Sequence, residues 1–268
     1  MNTPPYTIVY NQRRFQKGHA LIEKASDEKA IVAQQIESTL NKLHTTTRPI
    51  PILDLGSGSG FIWEILAQRW PKWASQIEVS LIDSAAEQIG LAQTRAWRLP
   101  WLKPTLADGV IFVSNTPLIY QLITCIHFLP GLTYPQQQKT LQQAYQRVAP
   151  GGALMLVQPH NQNPLSLAKN GLHQYVWGEK YERQYTDSDD WHNIGPHRRT
   201  NLASRLTVSS DDILDLAYFL LGHRAINPGL SPSQAAAATQ FLKTYMTKTD
   251  AGYQLDTLSS YVIFKRPR

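Results

Sequence analysis

Ile50-Pro51-Ile52-Leu53-Asp54-Leu55, followed at once by Gly56-Ser57-Gly58-Ser59-Gly60, is the stretch on which the fold of this chain turns. The first six residues form a short apolar run after the polar segment His44 to Arg48, as a buried strand requires. The glycines at 56, 58 and 60 let the backbone turn tightly and bring it close to a ligand with no Cβ in the way. Phe61 to Arg69 then reads as a helix. Strand, glycine turn and helix in direct succession make one unit of an α/β sheet.

Outward from that unit the alternation continues. Glu78 to Asp83 reads as a second strand and Ser84 to Trp97 as a second helix. Thr105-Leu106-Ala107 reads as a third strand and Tyr120 to Phe128 as a fourth. Gln136 to Val148 reads as a helix and Ala153 to Gln158 as a fifth strand. Units of this length predict an α/β, doubly wound, mostly parallel sheet with helices on both faces. Upstream, Ala20 to Leu43 carries helical periodicity, with Ser26-Asp27-Glu28-Lys29 as a helix start inside it. Beyond Pro159 the pattern loosens into a segment rich in Asn, Gln, Trp and Tyr. There Leu206 to Val208 and Tyr261 to Phe264 read as strands, and Asp211 to Leu221 and Ser233 to Met246 as helices. The expected organisation is one domain over 1–268: a helical cap over 1–48, a cofactor-binding core over 49–159, and a substrate-side insertion with the final strands over 160–268.

The glycine spacing chooses between two cofactor classes. A dinucleotide turn has the pattern G-x-G-x-x-G, but here the third glycine comes one place early and Phe61 holds the dinucleotide position. Asp54, two places before the first glycine, repels a pyrophosphate and attracts an ammonium group. The pattern D-x-G-x-G-x-G after a first strand resembles motif I of class I S-adenosylmethionine-dependent methyltransferases. That resemblance implies a Rossmann-like sheet of seven strands and S-adenosyl-L-methionine as cofactor, with S-adenosyl-L-homocysteine as product. It assigns the ribose hydroxyls to Asp83, next to Ser84, and the adenine amino group to Asp108, next to Gly109. Asp54, Gly56, Ser57, Gly58 and Gly60 then form the remainder of the cofactor site. Val148-Ala149-Pro150-Gly151-Gly152 is similar to the family's turn before the fifth strand, while Gln121 stands where many members carry Asp.

A narrower likeness concerns the acceptor. Arg13-Arg14-Phe15, Ser26-Asp27-Glu28, Ser84 to Ile89, Thr186 to Asp190 and Thr257-Leu258-Ser259 resemble the histamine N-methyltransferase group of small-molecule amine methyltransferases. The likeness places Glu28 on an amine-side glutamate, His127 on a substrate-facing glutamine and Asp256 on an asparagine. The two changes of type point away from histamine itself. It implies catalytic roles for Glu28, His127 and Asp256, and a substrate pocket with Tyr10, Phe15, Trp177 and Tyr181. Methyl transfer needs a neutral nucleophile, so an amine that is protonated near pH 7 must lose its proton in the site. The aromatic-rich insertion, with Tyr175, Trp177, Tyr181, Tyr185 and Trp191, offers ring faces to a cation. Each of these residues also has a plainer reading, as helix-start carboxylate, core histidine, turn residue or packing.

The expected function is metal-independent methyl transfer to nitrogen of a small cationic metabolite. The alternatives are O-methylation of a small natural product with His127 as base, or, in another class, modification of nucleic acid or protein or a non-catalytic binding subunit that only retains the fold. A net charge of +6, from 26 Lys and Arg against 20 Asp and Glu, leaves room for an acidic partner, but the basic residues are scattered. No nucleic acid and no membrane are expected as partners, and monomer and homodimer are equally compatible. The single cysteine, Cys125, excludes an internal disulfide and a Cys-rich metal site. No metal is expected, since no carboxylate cluster follows the fourth strand. Lacking an apolar run of membrane-spanning length, the chain is expected to be cytoplasmic.

Overall fold

The computed structural model describes residues 13–43, 48–160, 162–178, 191, 193–222 and 230–268. They divide into two compact units. The larger holds 28–160, the described part of 183–202, and 259–268; the smaller holds 13–27, 162–178 and the described part of 203–258.

In the larger unit, β1 (Ile50–Leu55) lies between β2 (Ile77–Asp83) and β4 (Tyr120–Ile126), parallel to both. The edge strand β3 (Leu102–Leu106) pairs with β2, and β5 (Val148–Pro159) with β4. The sheet follows the order β3-β2-β1-β4-β5-β8-β6, with β8 (Gly252–Lys265) antiparallel to β5, β6 being His197–Val208. This is the seven-strand Rossmann-like path, lengthened by the short β7 (Thr247–Thr249) pairing with β8.

Side chains alternate across the sheet, so each central strand feeds two cores. Ile50 and Ile52 of β1, Leu122 and Ile126 of β4, and Ala153, Met155 and Val157 of β5 share one cluster. Leu53 and Leu55, Ile123 and Cys125, and Leu154 and Leu156 share the other. Burial on both faces explains why these strands read as nearly continuous apolar runs. Helix α2 (Glu28–Leu40) and helix α3 (Phe61–Arg69) lie against the first cluster through Val32, Ile36, Trp63 and Leu66. Helix α4 (Ala86–Ala96) adds Ala92 to it, and α6 (Tyr134–Gln146) adds Leu141 and Ala144 to the second.

The Pro-Gly-Gly stretch expected to precede the fifth strand lies inside β5, where the register shifts between Tyr120 and Leu122 of β4. Gly151 has φ 77°, and a Cβ on Gly152 would meet the Gln121 carbonyl at 2.6 Å. Glycine is therefore needed for both the bend and the close approach.

The helical stretch expected over Ala20 to Leu43 is two helices, α1 (Arg13–Ala25) and α2, interrupted at Ser26-Asp27. In the smaller unit, α1, α7 (Pro164–Trp177), α8 (Ile213–Leu221) and α9 (Pro232–Tyr245) enclose their own apolar cluster, with Leu172, Leu216, Leu220 and Leu242 at its centre. Gly18 lets α1 press onto α8, where a Cβ would lie 2.2 Å from the Asp215 carbonyl. Arg14 pairs with the buried Asp215 at 2.9 Å on the same contact. No described helix is long and apolar enough to cross a membrane.

Candidate active site

The glycine turn is held from several sides. Gly56, Gly58 and Gly60 all have positive φ, at 67°, 55° and 71°. The Gly56 and Ser57 amides donate to the Ile82 carbonyl at 2.8 and 3.1 Å, tying the turn to the end of β2. Asp83 continues that tie: its Oδ2 accepts from the Gly58 amide and its Oδ1 from the Ala85 amide, each at 2.8 Å. From α4, Arg95 donates to the Ser59 carbonyl at 2.8 Å while bonding Glu64 of α3 at 2.8 Å. Phe128 completes the support. Its ring occupies the space a Cβ on Gly56 or Gly109 would need, at 2.5 and 3.0 Å respectively.

Asp54 stands at the end of β1, only 1% exposed. Both its oxygens are engaged, Oδ1 by the Thr124 hydroxyl at 2.7 Å and Oδ2 by the Trp63 Nε1–H at 2.8 Å. Burial pushes this carboxyl up to about 6, against the hydrogen bonds from Thr124 and Trp63, which lower it. Asp54 thus braces β1 to β4 and α3, and its charge acts through space on anything bound at the turn.

Asp108 caps helix α5 (Gly109–Asn115), its Oδ1 accepting from the Val110 and Ile111 amides at 2.8 and 3.1 Å. Beside it lies a hollow of about 400 Å³ lined by Ala107, Ile111, Phe112, Asn115 and Thr116. Ser84 sits between Asp83 and the start of α4.

These residues fit a nucleoside cofactor with an amino-acid tail. A Cβ on Gly58 would make only an ordinary contact, with Gln88 Oε1 at 3.7 Å, so the turn is not packed shut there. Ser57 Oγ and Gln88 Oε1 are buried with no hydrogen-bond partner among the described residues. Orphaned polar atoms around such a turn are what a bound polar ligand satisfies. In such a complex Asp83 would hold the ribose and Asp108 the adenine edge, while Ser57 and the glycine amides would face the tail.

At the ends of β1 and β4, where the strand order reverses, a second constellation forms. Glu28 is the first residue of α2, and its Oε1 lies 2.7 Å from His127 Nε2. The Ser259 hydroxyl donates to the same Oε1 at 2.9 Å from β8. Burial would raise the Glu28 carboxyl, but the charge and hydrogen bond of His127, with Lys29 and Ser259, outweigh it and hold the group down to about 2. His127 has φ 56°, a left-handed conformation rare for a residue with a side chain, fixed by its amide donating to the Val157 carbonyl at 2.8 Å.

The structure thus brings Glu28 and His127 together. Asp256 belongs to the smaller unit, where its carboxylate is 78% exposed and pairs with Arg205 at 3.1 Å. The β8 residue that meets Glu28 is Ser259, three places further on. Phe128, Arg95, Thr124, Trp63 and Ser259 are contributors that sequence reasoning left out. Of the aromatic residues, Trp177 packs edge-on to His173, Tyr175 lies over Phe241, and Trp191 is buried against Phe264 in the core of the larger unit. Tyr10, Tyr181, Tyr185 and the segment Thr186 to Asp190 lie outside the described residues, as does the side chain of Phe15. Among the described residues, no group of three or more His, Cys, Asp or Glu is arranged to hold a metal ion.

Comparison with known proteins bears on the family and the fold. The chain is 30% identical to a malonyl-[acyl-carrier protein] O-methyltransferase of Bacillus cereus over 84 residues, 31% of this chain and 30% of that protein. It is 26% identical over 138 residues to a trans-aconitate 2-methyltransferase of Rhodopseudomonas palustris, covering 49% of this chain and 48% of that one. The chain therefore matches less than half the length of either relative. A putative methyltransferase from Bacillus halodurans shares the fold at a TM-score of 0.53 and 13% identity, over 88% of this chain and all of that one. A family model described as a methyltransferase domain matches residues 27–202, from the start of α2 through the glycine turn into β6. The chain belongs to that family, as a class I methyltransferase whose methyl donor is S-adenosylmethionine.

Proposed function

We propose that this enzyme methylates a nitrogen of a small amine- or guanidine-bearing metabolite, and that His127 takes the proton the acceptor gives up. The observation that carries the reading is the pairing of His127 Nε2 with Glu28 Oε1 at 2.7 Å. A carboxylate on one ring nitrogen fixes the tautomer and orientation, leaving Nδ1 as the acceptor of a proton. His127 Nδ1 has no hydrogen bond among the described residues. Glu28, held low by its neighbours, stays ionised throughout the working range and stabilises the charge that His127 gains.

The bound cofactor supplies a methyl group on a sulfonium, displaced in line with no need for a metal. What the protein contributes is position and proton handling. The backbone strain at His127 supports a site built for a function rather than for packing. Proton handling rests on Glu28 and His127, and no step is assigned to Asp256.

Nucleic acid is a poor fit as acceptor. Several basic groups are used within the larger unit: Arg266 donates to the Gln146 and Val148 carbonyls, Arg199 to Ser260 Oγ, and Arg95 to Ser59 and Glu64.

The same histidine–glutamate pair can take a proton from a hydroxyl, so O-methylation of a small metabolite is the second reading. Methyl-labelled S-adenosylmethionine offered with panels of diamines, guanidines, phenols and carboxylic acids separates the two. Label on nitrogen is the expected result, and label confined to oxygen acceptors overturns the amine assignment.

A further inference from the structure

We propose that Lys29 anchors the α-carboxylate at the methionine end of the cofactor. Hydrogen bonds locate this residue. Glu28, its chain neighbour, reaches His127 just past the end of β4, and Thr124 on the same strand bonds Asp54 on β1. The first turn of α2 therefore stands at the carboxyl ends of β1 and β4, next to the point where the glycine turn begins. Open α/β sheets bind their ligands at such a reversal of strand order.

Lys29 is unusual in that place. It is partly buried in the first turn of a helix, where the macrodipole disfavours a cation, yet it makes no hydrogen bond or ion pair among the described residues. Its charge acts at Glu28 and at Asp54, favouring the ionised form of each against the burial that opposes it, so it lies within electrostatic reach of both acids. Neither acid bonds it: Glu28 Oε1 is taken by His127 and Ser259, and both Asp54 oxygens by Thr124 and Trp63.

A zwitterionic amino-acid end is the ligand chemistry this arrangement suits. The buried negative charge of Asp54 favours the ammonium group, and the unpaired Lys29 ammonium meets the carboxylate. The inference depends on the cofactor and not on which acceptor is methylated.

The test compares S-adenosylmethionine with its decarboxylated analogue by calorimetric titration of the wild-type chain, K29M and K29R. A charge-assisted bond to the carboxylate predicts that K29M weakens S-adenosylmethionine about tenfold or more, and the decarboxylated analogue by less than about twofold. Wild type should prefer the intact cofactor by a similar factor, and K29R should keep most of that preference. Equal weakening of both ligands in K29M would show that Lys29 serves only as a counter-charge to Glu28 and Asp54. Equal wild-type affinity for both ligands would likewise overturn the assignment. Binding of the decarboxylated analogue reports the glycine turn and Asp83 separately from Lys29.

Discussion

Asp83 closes the glycine turn by accepting from the Gly58 and Ala85 amides, and we propose that the same carboxylate takes the ribose hydroxyls of the cofactor. Asp83→Ala should weaken S-adenosylhomocysteine binding by about 30-fold or more, combining a lost charged contact with a loosened turn. Calorimetric titration checks this, and an unchanged dissociation constant would remove Asp83 from the site. Asp54 gives a prediction in pH. Its folded-state pKa is raised to about 6 from an ordinary value of 3.8, so its buried charge opposes folding at pH 7. As pH falls through 6 the folded chain takes up the proton before the unfolded chain does, and this contribution to stability grows until about pH 4. The gain is on the order of 2–3 kcal/mol. Urea denaturation of the cofactor-free protein at pH 7.5 and 5 should show it, and Asp54→Asn should flatten the difference. Glu28 runs the other way: its folded pKa is lowered to about 2, so its stabilisation is complete above pH 4.5 and lost as pH falls toward 2.

At the scale of elements, the strand–turn–helix that opens the site was legible because its signals are local. An apolar run, three alternating glycines and a helical stretch need no distant partner, and Phe61–Arg69 is helical over the span expected. Elements whose identity depends on the edge of the sheet were less legible. Strand β3 begins at Leu102, earlier than expected, because an edge strand tolerates Pro104 and exposed Lys103. Strand β6 starts at His197 rather than Leu206, since its outward residues are polar and only the last part carries an apolar alternation. Helix α7 was missed although Asn163 and Pro164 form a proper start, because its Asn- and Gln-bearing surroundings resemble a loop. Helix α5 is short and rich in Val, Ile and Phe, and what starts it is the Asp108 cap. Phe128 could not be read as a site residue, since its role exists only against Gly56 and Gly109. Gly56→Ala should therefore cost about 2–5 kcal/mol, from a left-handed backbone and a collision with the Phe128 ring. A thermal or urea unfolding curve measures that loss, and a near-wild-type curve would mean that the ring yields.

For the whole molecule, the doubly wound, mostly parallel sheet with helices on both faces followed from the sequence, whereas the acceptor side depended on long-range meetings. Glu28 and His127 are 99 residues apart, and Ser259 is 231 from Glu28. Likeness to a family suggested the first two, and only the fold shows that they touch. Ser259 was hidden because one hydroxyl among several at the start of the last strand segment has no distinguishing pattern. In the proposed mechanism, cofactor binding and proton handling are separate tasks of separate residues, the turn with Asp83 for one and Glu28 with His127 for the other. Turnover of a small amine acceptor and affinity for S-adenosylhomocysteine, measured on the same preparations of wild type, Glu28→Gln and His127→Asn, test it most directly. Both variants should lose about 10²–10⁴-fold in kcat and keep cofactor affinity within about threefold. Full turnover in both variants, or a loss of cofactor affinity as large as the loss of turnover, would contradict it.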